Sequence, residues 1–417
     1  MDAYIADVDP IVVAKAEGSF LEDVDGRRYL DGNSSWWVAA LGHGHPRLVR
    51  VLTEQGATLA HCSLAGVTHA PAALLAEELC AIAPPGLSRV FYTDNGSTSI
   101  EVAVKIAVQM WRQLGAPKKT RFVALDGAFH GDTIGASSLG GVELFRRPFA
   151  GVLFECAHVP FPEDDAYARA FEAITTLVAR EHETIAAVVL EPLVQGAAGM
   201  RMYPASYLRD VRALCDAHDV LLIIDEVFAG YGRTGLMWAS SHAGITPDLM
   251  CLGKSFAAML PMGATLATER IFDAFRGGKD RALYYGHTFC GNPLGAALAR
   301  EVLAIYRDER IVEGVQAKAP RIARALERVA EIGGVPRVRS LGMIGAADLE
   351  PRAGGASGYL GEVGWRVYEE AKKRGAYLRP LGDTVYLCPP LNIADDELDQ
   401  LLGIFEESVR VALTRRR

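Results

Sequence analysis

The chain has 417 residues, half of them hydrophobic, with 42 glycines and a formal net charge of −8 at pH 7. That length and apolar content exclude a disordered chain and suffice for one larger and one smaller domain, while the acidic balance gives no clustered basic surface for nucleic acid or an anionic membrane. Arg415-Arg416-Arg417 is too short to change this, and no run of about 18 apolar residues exists to span a bilayer.

Met1-Asp-Ala-Tyr-Ile-Ala-Asp7 lacks the basic and apolar regions of an export signal, so a soluble cytoplasmic protein is expected. The seven cysteines, at 62, 80, 156, 215, 251, 290 and 388, are scattered and odd in number, which fits reduced thiols and predicts no metal site.

In chain order, Ser19 to Asp31 reads as a hairpin turning at Asp25-Gly26. From His45 the texture becomes α/β. Leu48 to Ala60, Ala70 to Ala83 and Ser99 to Leu114 carry apolar residues at helical spacing; Val90 to Tyr92, Arg121 to Leu125, Ala186 to Leu190 and Val220 to Ile224 read as strands. This alternation predicts a wound, mostly parallel sheet. Beyond Asn292 a long helical stretch leads to strands at Leu341 to Asp348 and Val385 to Cys388. The expected organisation is a hairpin segment over 1–45, a large domain over 46–292 and a small α+β domain over 293–417, with the hairpin packing on the small domain.

Two positions dominate the chemistry. Asp225 closes the apolar run Val220-Leu-Leu-Ile-Ile224, and Lys254 follows Asp248-Leu-Met-Cys-Leu-Gly253. A buried parallel strand would deliver Asp225 to the sheet's C-terminal edge, where α/β enzymes bind ligands. A fixed anion there can hold a pyridine nitrogen protonated, and a lysine in an apolar pocket can supply the neutral amine that attacks an aldehyde. An Asp at a strand end also serves as a metal ligand, a helix cap or a solvated group. Thr93-Asp-Asn-Gly-Ser-Thr-Ser99 follows a strand and opens a helix, so its amides, with Gly96 and the Ser97 hydroxyl, can receive a phosphate; the same residues make an ordinary helix cap. The Gly-Lys-Ser at 253–255 lacks the upstream glycine spacing of a P-loop.

Val189-Leu-Glu-Pro-Leu-Val-Gln-Gly196, Ile224-Asp-Glu-Val227, Gly230-Tyr-Gly-Arg-Thr-Gly235, Pro247 to Ser255 and His287-Thr-Phe-Cys-Gly-Asn-Pro293 occur in an order that resembles the class III aminotransferases of the fold type I pyridoxal phosphate enzymes, over nearly the whole chain. Within that class, Gly32-Asn-Ser-Ser-Trp-Trp37, Thr68-His-Ala-Pro71, Gly131-Asp-Thr133, Gln195 to Tyr203 and Leu378-Arg-Pro380 resemble the diaminopelargonate synthases of biotin biosynthesis, which aminate 7-keto-8-aminopelargonate using S-adenosylmethionine or, in some members, lysine. Another class III activity, an ω-amino acid aminotransferase or an aminomutase, shares the cofactor machinery and is the alternative.

The resemblance implies a role for each matching residue. Lys254 would be the Schiff-base lysine and proton shuttle, and Asp225 the pyridine partner. Gly96 and Ser97 would bind phosphate, and Phe129 would stack on the pyridine ring where the biotin enzymes usually have Tyr, with His130 in the same cofactor set. His287 and Thr288 would reach the phosphate of a neighbouring subunit, which implies a homodimer with active sites at its interface. Arg379 would bind the keto acid's carboxylate, Trp36, Trp37 and Tyr386 would line its methylene chain, Phe129 and Gly286 would add to the substrate set, and Arg233 would address the amino donor. Neighbouring side chains of an extended segment face opposite ways, so Trp36 is taken for the site and Trp37 for packing. Glu191 is expected to organise nearby arginines. The synthases' Trp-His-Pro-Tyr-Thr segment would fall ahead of Met1, and Tyr4 does not match it by register.

Overall fold

The computed structural model describes residues 9–163, 165–351 and 354–414, so the readings placed on Met1, Tyr4 and Arg415 to Arg417 lie outside it. The chain divides into two compact units, one of Arg50–Tyr231 with Leu236–Ala304, the other of Met1–Val49, Gly232–Gly235 and Ile305–Arg417.

The larger unit is built on a seven-stranded sheet in the order Leu87–Thr93, Gly263–Thr268, Leu249–Leu252, Leu221–Asp225, Ile185–Leu190, Arg121–Leu125, Cys156–Val159. Gly263–Thr268 runs antiparallel to both its neighbours, and the other pairings are parallel. Ile185–Leu190 and Leu221–Asp225 are buried along their whole length, which is why they read as unbroken apolar runs rather than alternating ones. The helix Gly96–Gln113 packs Ile100, Ala103, Ala107 and Met110 into the core beside these strands. Near its start the carbonyl of Ser99 accepts the Thr265 hydroxyl at 2.7 Å, tying the helix N-terminus to the sheet.

Gly263–Thr268, Leu249–Leu252 and Cys156–Val159 are not among the expected strands. Gly-Ala-Thr-Leu-Ala-Thr is rich in small residues and becomes a strand through pairing on both sides, an override of local propensity by tertiary context.

In the other unit the hairpin forms as expected, with Phe20 opposite Leu30 and Leu21 opposite Tyr29. Asp23 fixes the turn by accepting the Asp25 and Arg27 amides and the Tyr29 hydroxyl. The strand Arg28–Asp31 pairs in parallel with Ala376–Tyr377, so the N-terminal segment shares a sheet with a C-terminal strand. A second sheet joins Arg337–Leu341, Ile344–Asp348 and Thr384–Leu387.

The division differs from the boundaries expected at 45 and 292. It falls after Val49 and near the end of the continuous helix Pro293–Asp308, where no composition change marks it. Gly232–Gly235 groups with the terminal segments because the Arg233 carbonyl accepts the Met343 amide and the Arg233 guanidinium donates to the Pro389 carbonyl. Among the described residues the cysteines form no disulfide and no helix is long and apolar enough to cross a membrane.

Candidate active site

The larger unit gathers most of the expected cofactor residues at the ends of its strands. Asp225 is the last residue of Leu221–Asp225 and is buried. Its Oδ1 accepts the Val227 amide at 3.0 Å and its Oδ2 lies 2.8 Å from His130 Nδ1. An ionised carboxylate only accepts, so Nδ1 carries the proton in this pair, and each oxygen keeps a further lone pair for another donor. Burial pulls the His130 imidazole toward its neutral form, but the Asp225 hydrogen bond and charge outweigh that and leave its pKa raised.

Lys254 opens a short 3₁₀ turn directly after Leu249–Leu252 and Gly253. Its φ of +48° puts a non-glycine residue in the left-handed region, a cost of about 1–3 kcal/mol that surrounding structure must hold, as is common at functional sites. Gly253 makes the approach possible: a Cβ there would stand 2.9 Å from the Gly96 Cα and 3.2 Å from a Val227 methyl. Lys254, the Gly96 loop and the residues after Asp225 therefore converge.

Gly96 and Ser97 occupy the first helical turn, where no helical acceptor precedes their amides. Asn95 caps the helix, accepting the Thr98 amide at 3.0 Å while the Thr98 hydroxyl accepts the Asn95 amide. The cap engages Thr98 and leaves the Gly96 and Ser97 amides without an acceptor within the helix, so cap and anion site can coexist. A Cβ on Gly131 would stand 2.1 Å from the Ser97 Oγ, so the turn after His130 closes onto this loop.

Phe129 donates its amide to Glu191 Oε2 at 3.0 Å and packs edge-on to Phe145. Glu191 also accepts the Gly196 amide at 3.1 Å, so this buried carboxylate fixes backbone and does not organise arginines as expected. Burial strips this carboxylate of water and, with the Asp225 charge, outweighs the pull of His130 and the two amides, pushing its pKa to about 7. Neither the backbone targets nor the shift had a local signal, because both partners lie far away in sequence or across a turn.

His287 lies beside the same loop, with Nδ1 2.5 Å from Asp94 Oδ2 and Nε2 2.8 Å from the Tyr285 hydroxyl, while Gly286 and Thr288 are exposed. Asp94, His287 and Cys290 bring metal-ligating atoms within 4.8 Å of one another, a grouping that the scattered cysteines did not foreshadow; the His287–Asp94 bond and the His287 amide to Cys290 Sγ already engage them.

The smaller unit holds a second constellation. Ser34, Ser35, Trp36 and Trp37 all have positive φ (47°, 44°, 64° and 73°), forming a left-handed turn in place of the extended segment expected. The tryptophans still part company. Trp37 is buried and meets Tyr386 edge to face at 6.2 Å, whereas Trp36 is 56% exposed and carries the Arg379 guanidinium 4.4 Å over its ring. Tyr386 is also buried, so of the proposed apolar wall only Trp36 is presented to solvent. Arg233 is buried as well, its Nη1 donating to the Pro389 carbonyl at 2.5 Å.

A helix N-terminus, a lysine on a strained turn and a buried strand-end carboxylate together fit a phosphorylated pyridine aldehyde. The profile of the family described as aminotransferase class-III matches residues 3–409. The chain belongs to the class III aminotransferases. It is 42% identical to the adenosylmethionine-8-amino-7-oxononanoate aminotransferase of Geobacter sulfurreducens, covering 96% of this chain and 92% of that protein, and 44% identical to the enzyme of that name from Synechococcus elongatus, covering 94% and 93%. The crystal structure of the Methanocaldococcus jannaschii enzyme of that name superposes with a TM-score of 0.94 at 32% identity over 99% of this chain and 95% of that one. The ω-transaminase of Pseudomonas jessenii in complex with PMP follows with 0.92 at 29% identity over 99% and 95%. As a class III aminotransferase the chain is a fold type I enzyme whose cofactor is pyridoxal phosphate.

Proposed function

We propose that this aminotransferase converts 7-keto-8-aminopelargonate to 7,8-diaminopelargonate in biotin biosynthesis, with S-adenosylmethionine as amino donor. The observation that carries the acceptor assignment is Arg379 stacked on the exposed Trp36, a planar cation with an apolar plate, which suits a carboxylate at the end of a methylene chain. The relatives' shared name supports the same acceptor and donor, while lysine, the donor in some synthases that the chain resembles, stays the alternative. A cytoplasmic homodimer, in which His287 and Thr288 serve a neighbouring subunit's phosphate, belongs to the same reading.

Pyridoxal phosphate, when bound, supplies a ring that draws electrons from the substrate carbon that loses its proton. Asp225 would hold the pyridine nitrogen protonated with the lone pairs that Val227 and His130 leave available. Gly96 and Ser97 would receive the phosphate on their amides and hydroxyl, and Phe129 would lie against the ring, its backbone fixed by Glu191. Lys254 would anchor the aldehyde and carry the proton away from and back to the substrate. Arg233 would address the donor.

An ω-amino acid aminotransferase is the second reading, favoured by the close ω-transaminase fold. Purified protein offered 7-keto-8-aminopelargonate with S-adenosylmethionine, lysine, alanine or glutamate in turn should form diaminopelargonate, detected by mass, with S-adenosylmethionine the best donor. No diaminopelargonate with any donor, alongside turnover of ω-amino acids, would replace the first reading with the second.

A further inference from the structure

Around Arg379 the smaller unit is laced together more tightly than a surface arginine needs. Asn33 is almost fully buried, yet its side chain uses both ends: Oδ1 accepts the Arg379 amide at 2.6 Å and Nδ2 donates to the Tyr386 carbonyl at 3.2 Å. Its own carbonyl accepts the Trp37 amide at 3.0 Å, so the same residue starts the left-handed turn. One side chain thereby joins three pieces of chain far apart in sequence, the turn that carries Trp36, the loop that carries Arg379 and the strand Thr384–Leu387.

The turn needs such support. Four successive non-glycine residues in the left-handed region each cost about 1–2 kcal/mol, and isolated left-handed turns do not persist in L-peptides. The neighbours supply the remaining ties: Ser34 Oγ donates to the Cys388 carbonyl at 2.7 Å, Ser35 Oγ to Asp31 Oδ2 at 2.8 Å, and the Gly32 amide to the Tyr377 carbonyl at 3.0 Å. A Cβ on Gly32 would collide with Leu378 at 2.4 Å, so the approach of the two segments depends on that glycine. Ser34 and Ser35 hold the turn itself; Asn33 alone among these residues also grips the backbone of Arg379.

We infer that Asn33 is a positioning residue for acceptor recognition, setting the Arg379 guanidinium against the Trp36 ring so that its donors are oriented for the acceptor's distal carboxylate. This rests on the reading of Arg379 given under the proposed function. The polar bridge is what does the work: an apolar residue of similar size would fill the space, yet it would leave the Arg379 amide and the Tyr386 carbonyl without their buried partner and release the loop. Ring and guanidinium would then lose register, and a bidentate contact is sensitive to that.

The test compares Asn33→Ala, Arg379→Ala and the double variant in the cofactor-loaded enzyme. Donor and acceptor half-reactions are followed separately by the absorbance of the bound cofactor, together with KM for 7-keto-8-aminopelargonate and thermal midpoints. Asn33→Ala should raise that KM by about tenfold, with the donor half-reaction and the resting cofactor spectrum unchanged, and the double variant should be no worse than Arg379→Ala within about twofold, because both changes remove one recognition unit. Asn33→Ser, whose hydroxyl cannot span both backbone groups, replaces the alanine variant if the latter is insoluble, with the same expectation. An unchanged KM in the Asn33 variants while Arg379→Ala raises it would overturn the inference and leave the Arg379 reading standing. Multiplying effects in the double variant, or equal losses in both half-reactions with a lowered thermal midpoint, would reduce Asn33 to a core residue. If Arg379→Ala leaves the acceptor KM unchanged, the Arg379 reading fails and the inference falls with it.

Discussion

The two constellations are made in different ways. In the larger unit Asp225, Lys254 and Gly96-Ser97 sit at the ends of regular elements, two buried strands and an 18-residue helix, whose packing holds them in place. In the smaller unit Trp36 and Arg379 sit on an irregular left-handed turn and a loop, held by individual side-chain bonds from Asn33, Ser34 and Ser35. The first arrangement is robust because moving Asp225 means moving a core strand. The second can be altered by one small substitution, which suits the part of an enzyme that chooses its substrate while the cofactor chemistry stays constant.

That contrast predicts where damage falls. Lys254→Ala should show the largest effect, with loss of the cofactor's visible absorbance shift and a fall in turnover of about 10⁴-fold or more, measured by single-turnover kinetics. Persistence of a borohydride-fixable cofactor adduct in that variant would assign the attachment elsewhere. Asp225→Ala should keep cofactor bound through the phosphate cradle yet lose turnover by about 10³-fold, since the pyridine partner is gone; near-normal turnover would remove Asp225 from the chemistry.

On the other side of the comparison, Arg379→Ala should weaken transition-state binding of the keto acid by about 2–5 kcal/mol, read from kcat/KM, while sparing the donor half-reaction. Equal damage to both half-reactions would mean that the arginine serves both substrates. The tryptophan pair sharpens the contrast within a single turn. Trp37→Ala, emptying a buried site, should cost about 3–5 kcal/mol of stability by denaturant unfolding, whereas Trp36→Ala should leave stability unchanged and raise the acceptor KM only a few-fold, in keeping with about 0.5–1 kcal/mol for an exposed cation–π contact.

The smallest effect concerns pH. Glu191 has its pKa raised to about 7, first by burial and then by the Asp225 charge against the opposing pull of His130. Between its ordinary value near 4.5 and about 7 the folded state therefore holds a proton that the unfolded chain has released, so stability falls as pH rises through that window and stays lower above it. Thermal midpoints of the wild type should decline from pH 5 to 8, and Glu191→Gln should flatten the decline. An identical slope in the variant would show that Glu191 does not titrate there.

Local sequence was enough to determine the strand Arg121–Leu125, the strand that closes on Asp225, the helix that begins at the Gly96 loop, and the placing of Asp225 at a strand end. Hydrophobic periodicity and strand length are properties of contiguous residues, and a parallel sheet collects its strand ends at one edge whatever the details. The order of the motifs carried the family as well. What only the tertiary structure decided depends on partners far apart in the chain: Gly263–Thr268 becomes a strand by pairing on both sides, Glu191 binds the Phe129 backbone rather than arginines, and Gly232–Gly235 joins the terminal segments. The left-handed turn is the clearest case. Nothing in Ser34-Ser35-Trp36-Trp37 favours positive φ, and the conformation is stable only because Asp31, Cys388, Tyr386 and the Arg379 loop supply hydrogen bonds that exist once the chain has folded around them.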